Sequence, residues 1–183
     1  MRVATLTLGV ALLGGLVCSG AAVGAVAAPA GGTVRLFVTP NLTSNGTAGT
    51  VVITGAIGDF GTFLTIDKNG KADPSGNYVK ITLKQGAFEI DSTMLNAAAN
   101  KAQPTVTKAT CSAYFSVSGP VTLLGGTGMY KGIAGTVKIT QTFAIIFPRY
   151  TSGANKGQCN ESANVQPIAQ YGSITGAGTV RFS

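Results

Sequence analysis

"GGTGMYKGIAG", residues 125–135, puts five glycines around one tyrosine and runs directly into the alternating stretch "TVKITQTFAIIF", residues 136–147. A phosphate-binding loop would use the glycines between a strand and a helix N-terminus, with a lysine followed by Ser or Thr. Here Lys131 is followed by Gly132, and what comes after Gly135 is β-branched and alternating, so no helix follows. The glycines therefore serve strand geometry. Gly125 and Gly126 are expected at positive φ, Gly132 and Gly135 should relieve crowding at a rim, and Tyr130 should cover the glycine-lined surface.

Period 2 extends outward from that stretch. Val137, Ile139, Phe143, Ile145 and Phe147 fall on one face, against Lys138, Thr140 and Thr142 on the other. "NYVKITLK", 77–84, alternates in the same way. Further strands are predicted at 33–39, 49–57, 60–67, 87–91, 106–118 and 171–182. Turn chemistry separates them, as in "DKNG" ending at Gly70 and "DPSGN" at 73–77. Only "STMLNAAANKA", 92–102, reads as a helix, with Ser92 as its N-cap. Eight strands and one short helix are most economically closed into an antiparallel barrel, which leaves no exposed edges. "GTV" recurs at uneven spacings, as turn-to-strand grammar and not as a duplication.

The first 27 residues read as a secretory leader. Arg2 precedes a long apolar run, and Ala25, Val26 and Ala27 fit the small-x-small rule for cleavage, which leaves residues 28–183 as one barrel domain. Two alternatives are a membrane-anchoring helix and a lipoprotein held through Cys18, where Val17 is large for the residue before a lipidated cysteine. Cleavage leaves two cysteines, Cys111 and Cys159. In an exported chain without histidine to activate a thiol, these are expected to form a disulfide. The mature form is expected to be extracellular and not to span a membrane. The chain carries a net charge of +7, but its lysines are scattered singly, without basic blocks interleaved with aromatics, so nucleic acid is not an expected partner.

"SVSGPVTLLGGTGMYKGIAGTVKITQ", 116–141, resembles the corresponding stretch of allene oxide cyclases and, less closely, of dirigent proteins. In that superfamily a strand carrying Gly-Pro leads to Gly-Gly-Ser/Thr-Gly-x-aromatic-x-Gly-x-x-Gly, then to Val-Lys and a glutamine. Gly119, Pro120, Gly125, Gly126, Thr127, Gly128, Tyr130, Gly132, Gly135, Val137, Lys138 and Gln141 fit it. The resemblance implies an eight-stranded antiparallel barrel with an apolar interior.

The chemistry open to the chain is narrow. Without histidine, the Ser-His-Asp and Cys-His mechanisms and ordinary zinc sites are excluded. Of six carboxylates, Asp67 and Asp73 sit in turns, and Glu89 and Asp91 share a strand face whose opposite side belongs to Phe88 and Ile90. Asp59, flanked by glycines in "GAIGDFGTF", either binds a ligand or caps a turn. Gln141 alternates onto the inner face with Ile139 and Phe143, where a neutral amide orients a ligand or finds an internal partner. The candidate ligand contacts are thus Gln141, Phe143, Tyr130 and Asp59, with no catalytic residue, metal ligand or cofactor assigned. The expected partner is a small apolar molecule in the barrel. The alternatives are an isomerase or cyclase acting on a lipid-like substrate and a filled barrel acting through its exterior as a cell-surface or structural protein.

Overall fold

The structure, a computed structural model, describes residues 30–183 apart from Asn45 and Ala163. The leader expectation, including Cys18, lies outside the described residues. The strands are β1 (Gly32–Pro40), β2 (Ala48–Gly55), β3 (Asp59–Ile66), β4 (Tyr78–Leu83), β5 (Gly86–Asp91), β6 (Thr105–Thr107), β7 (Ser112–Leu124), β8 (Ala134–Ile146) and β9 (Ala169–Arg181), with helix α1 (Thr93–Ala99) between β5 and β6. Every pairing is antiparallel, and the order β5-β4-β3-β2-β1-β9-β8-β7 closes on itself through β5–β7. Eight strands form the barrel; β6 adds three residues to the start of β7.

The alternation seen in the sequence becomes the inside and outside of this barrel. Val34, Leu36, Val51, Ile53, Ile81, Phe88, Leu123 and Val137 fill the interior, each burying side-chain area worth about 1.5–3 kcal/mol. Between them lies a residual apolar cavity of about 80 Å³, bordered by Leu36, Val38, Leu95, Ile139 and Ile174 among others.

The closing seam is short. β5 meets β7 only from Asp91↔Thr122 to Glu89↔Leu124, and β6 takes β7 only as far as Tyr114. The edge of β7 between them has no strand partner, which is why Pro120, lacking an N–H, sits inside a long strand. Helix α1 covers the gap, with Leu95 lying over Gly119: a Cβ on that glycine would come within 3.1 Å of the Leu95 Cα.

Three expectations need correcting. The strand expected at 106–118 is two strands, broken where Cys111 takes φ 54°. The helix is shorter than 92–102, and Ser92 takes the expected N-cap position without making a side-chain cap bond. Its hydroxyl donates to the Asn77 carbonyl, while the Asp91 carboxylate accepts the Thr93 N–H at 2.9 Å. A bond from the Thr93 side chain, and then this backbone one, hold Asp91 below the usual carboxylate range. Gly126 is not at positive φ, whereas Gly125 is, at 58°. Gly126 is needed because a Cβ there would overlap the Tyr130 carbonyl.

Cys111 and Cys159 are bonded, with Cα atoms 5.2 Å apart. The bond ties the long β8–β9 connection to the β6–β7 turn, and the Arg149 guanidinium reinforces it by donating to the carbonyls of Ala109 and Gly157, both at 2.6 Å. Among the described residues no helix is long and apolar enough to cross a membrane.

Candidate functional site

The four expected contact residues separate into two pairs at opposite ends of the barrel. One end gathers the start of β3, the end of β4 and the glycine-rich connection between β7 and β8. There the chain makes a short 3-10 turn, Gly128–Tyr130, and drives Tyr130 inward. Only 1% of Tyr130 is exposed, and its ring meets Phe88 edge-on at 5.8 Å between centroids. Its hydroxyl donates to Asp59 Oδ2 at 2.5 Å. Asp59, 6% exposed, also accepts the N–H groups of Phe60 at 2.7 Å and Gln85 at 3.0 Å.

The electrostatics of this pair follow from those contacts. Burial pushes the Asp59 carboxyl upward, but hydrogen bonds from Tyr130 and from backbone N–H groups outweigh it and hold the group below its ordinary range. Burial, then the Asp59 carboxylate, pushes the Tyr130 phenol well above its ordinary value. The proton therefore stays on Tyr130 and the charge on Asp59. Tyr130 does more than cover a glycine surface: it plugs the barrel, and Asp59 anchors the plug. This end of the barrel is thus occupied by the buried Tyr130 side chain and its carboxylate partner.

The second pair stands at the opposite mouth. Gln141 and Phe143 lie on β8 beyond the buried Val137 and Ile139, on the same inward face. They border a cleft of about 290 Å³ together with Pro40 at the end of β1, Leu42 just after it, and Gly172 and Ile174 on β9. Strand pairing places Gln141 directly opposite Ile174. Among the described residues no protein group bonds the Gln141 amide, so its donors and acceptor are available to the cleft. Ile174 borders both this cleft and the apolar cavity beneath it. The mouth is thus a polar-rimmed space over an apolar floor.

Four of the cleft residues just named escaped the sequence reading. Pro40 ends β1 and Leu42 follows it, where periodicity stops. Gly172 and Ile174 lie in "YGSITGAGTV", whose signal is glycine on the inward face. At Gly172 a Cβ would lie 3.0 Å from Leu42 Cδ2 and 3.1 Å from Pro40 Cγ; at Gly176 it would lie 2.5 Å from Ile139 Cδ1. The inner surface of β9 is therefore trimmed so that neighbouring side chains reach across it.

Glu89 and Asp91 do not form a paired acid–base site, since the Asp91 carboxylate is taken by the Thr93 N–H and Phe88 and Ile90 hold the core face. Among the described residues no group of three or more His, Cys, Asp or Glu is placed to hold a metal. The fold and its two ends define the chain as a closed eight-stranded antiparallel barrel with one plugged end and one open mouth. No family model, curated protein or solved structure matches it.

Proposed function

We propose that the protein is an exported binding barrel that seats a small, largely apolar molecule at its open mouth, with a polar group of that molecule on the Gln141 amide. The observation that carries this reading is the shared Ile174. A cleft of about 290 Å³ with one unbonded amide lies directly over an apolar cavity of about 80 Å³. Small-molecule sites combine a mostly apolar lining with a few orienting polar groups, and their volumes begin near 300 Å³. The cavity alone is too small for such a ligand, so the mouth supplies most of the space, and a tail displacing the Ile174 side chain would reach the floor. Export is supported by the Cys111–Cys159 disulfide and by the small-x-small leader signal. The resemblance of 116–141 to allene oxide cyclases supports the barrel in the same way.

Titration with the fluorescent fatty acid cis-parinaric acid tests the proposal. Saturable one-to-one binding is expected, at least tenfold weaker in Gln141→Leu and lost in Ile174→Trp, which fills the mouth. Absence of saturation, or equal affinity in all three proteins, would reject the site. Turnover of an added epoxide by the parent would move the reading to an isomerase or cyclase.

A further inference from the structure

Beyond the mouth, β7, β8 and β9 run on past the barrel as a projecting sheet, with β6 at its edge. Its outer face has an unusual composition for a chain of net charge +7. Cross-strand pairing aligns Tyr114, Ala144 and Tyr171 in one row and Ser116, Thr142 and Ser173 in the next. Ser118, Thr140 and Thr175 make a third row, in which the Ser118 and Thr140 hydroxyls bond each other at 2.7 Å. Toward the barrel the first charges appear one row further on, at Lys138 and Arg35. Three consecutive rows therefore carry only tyrosine, serine and threonine with one alanine.

Tyr114 is 51% exposed and Tyr171 61%. They stand two inter-strand spacings apart, about 10 Å, with the small Ala144 between them. β-Propensity accounts for a tyrosine in a strand. It does not account for two exposed tyrosines aligned across an alanine on an uncharged, hydroxyl-rich face. The sheet that holds them is also stapled: the Cys111–Cys159 disulfide and the two Arg149 bonds lie at its outer end. Rigid aromatic anchors held in place before binding lower the ordering cost of association.

We infer that this face is a binding site for an extended neutral glycan of the β-1,4-linked type. Sugars in such a chain present apolar C–H faces at a disaccharide repeat comparable to the tyrosine spacing, so both rings stack at once. The serine and threonine rows then meet the ring hydroxyls. Absence of charge matches a neutral polymer, whereas a polyanion would be drawn to the Lys138 and Arg35 row. Thr142 and Ser173 of the second row also border the mouth cleft, but the two tyrosines lie outside it, so variants at Tyr114 and Tyr171 test this site separately from the mouth.

The test is retention of the purified protein on chitin and on microcrystalline cellulose, with soluble chitohexaose and cellohexaose titrated by calorimetry and amylose as the coiled control. Binding to at least one β-1,4-linked polymer is expected, insensitive to salt. It should fall at least tenfold in Tyr114→Ala and in Tyr171→Ala, and persist in Tyr114→Phe and Tyr171→Phe, which keep the stacking surface. Circular dichroism and an intact disulfide establish that each variant is folded. Three results would overturn the inference: no retention on either polymer, retention unchanged in both alanine variants, or salt-sensitive binding to heparin in its place. Self-association that buries the tyrosines, seen by analytical ultracentrifugation and abolished by the alanine variants, would assign the face to a second copy of the chain and equally reject the glycan.

Discussion

Tyr130→Phe isolates the bond that anchors the plugged end. The change removes one oxygen and leaves the ring in place against Phe88, so packing is nearly conserved. What is lost is a 2.5 Å hydrogen bond to a carboxylate that is 6% exposed. A hydrogen bond to a charged group is worth about 1.5–3 kcal/mol, and here the acceptor keeps its backbone donors, so the expected loss falls within that range. For a domain of this size the loss corresponds to a drop of roughly 3–12 °C in melting temperature. Urea unfolding at pH 7 should show a lower midpoint with unchanged slope.

The acid limb supplies a second readout. Asp59 titrates below its ordinary 3.8 in the folded protein, so its charge contributes stability above that value, and the contribution fades as pH falls through the lower folded-state value. Removing the Tyr130 donor raises the folded-state value. Acid unfolding of Tyr130→Phe should therefore begin at higher pH than in the parent. A Tyr130→Phe protein within about 0.5 kcal/mol of the parent, with an unshifted acid limb, would refute the anchoring role.

Gly126→Val should destabilise by about 1–3 kcal/mol because the new side chain meets the Tyr130 carbonyl, while the exposed Lys131→Ala should stay within about 0.5 kcal/mol; paired urea melts measure both. Reduction of Cys111–Cys159, which spans 48 residues, should cost about 4 kcal/mol in the chain-entropy account, read as the difference between melts with and without reductant. Above pH 10 the parent should lose stability that Tyr130→Phe does not. The phenol value is raised in the folded state, so its contribution is complete below the ordinary value of 10.0 and declines as pH rises beyond it.

Much of the barrel was legible because a strand with one buried face alternates, and alternation alone places Gln141 and Phe143 inward and Lys138 outward. Height along the barrel was not legible. Periodicity says which face a residue takes but not which end it reaches, so Asp59, Tyr130, Gln141 and Phe143 read as one set and proved to be two. The Asp59–Tyr130 bond joins residues 71 apart in sequence and exists only because closure brings the β7–β8 connection under β3. The β6–β7 break was hidden for a different reason. "TVTKATCSAYF" has strand-forming residues on both sides of a turn, and Cys111 adopts its positive φ where the disulfide anchors the turn. At α1 the N-cap position of Ser92 was legible, but the Ser92 hydroxyl is drawn to the Asn77 carbonyl and the Asp91 carboxylate takes the Thr93 N–H, an exchange set by tertiary contact.

The central claim, a ligand seated at the mouth over Ile174, is most directly tested by native mass spectrometry of the protein recovered from its own host. A bound adduct of small apolar mass is predicted in the parent, released on unfolding and absent from Ile174→Trp prepared identically. Recovery of the bare chain mass alone, or an adduct that survives Ile174→Trp, would contradict it.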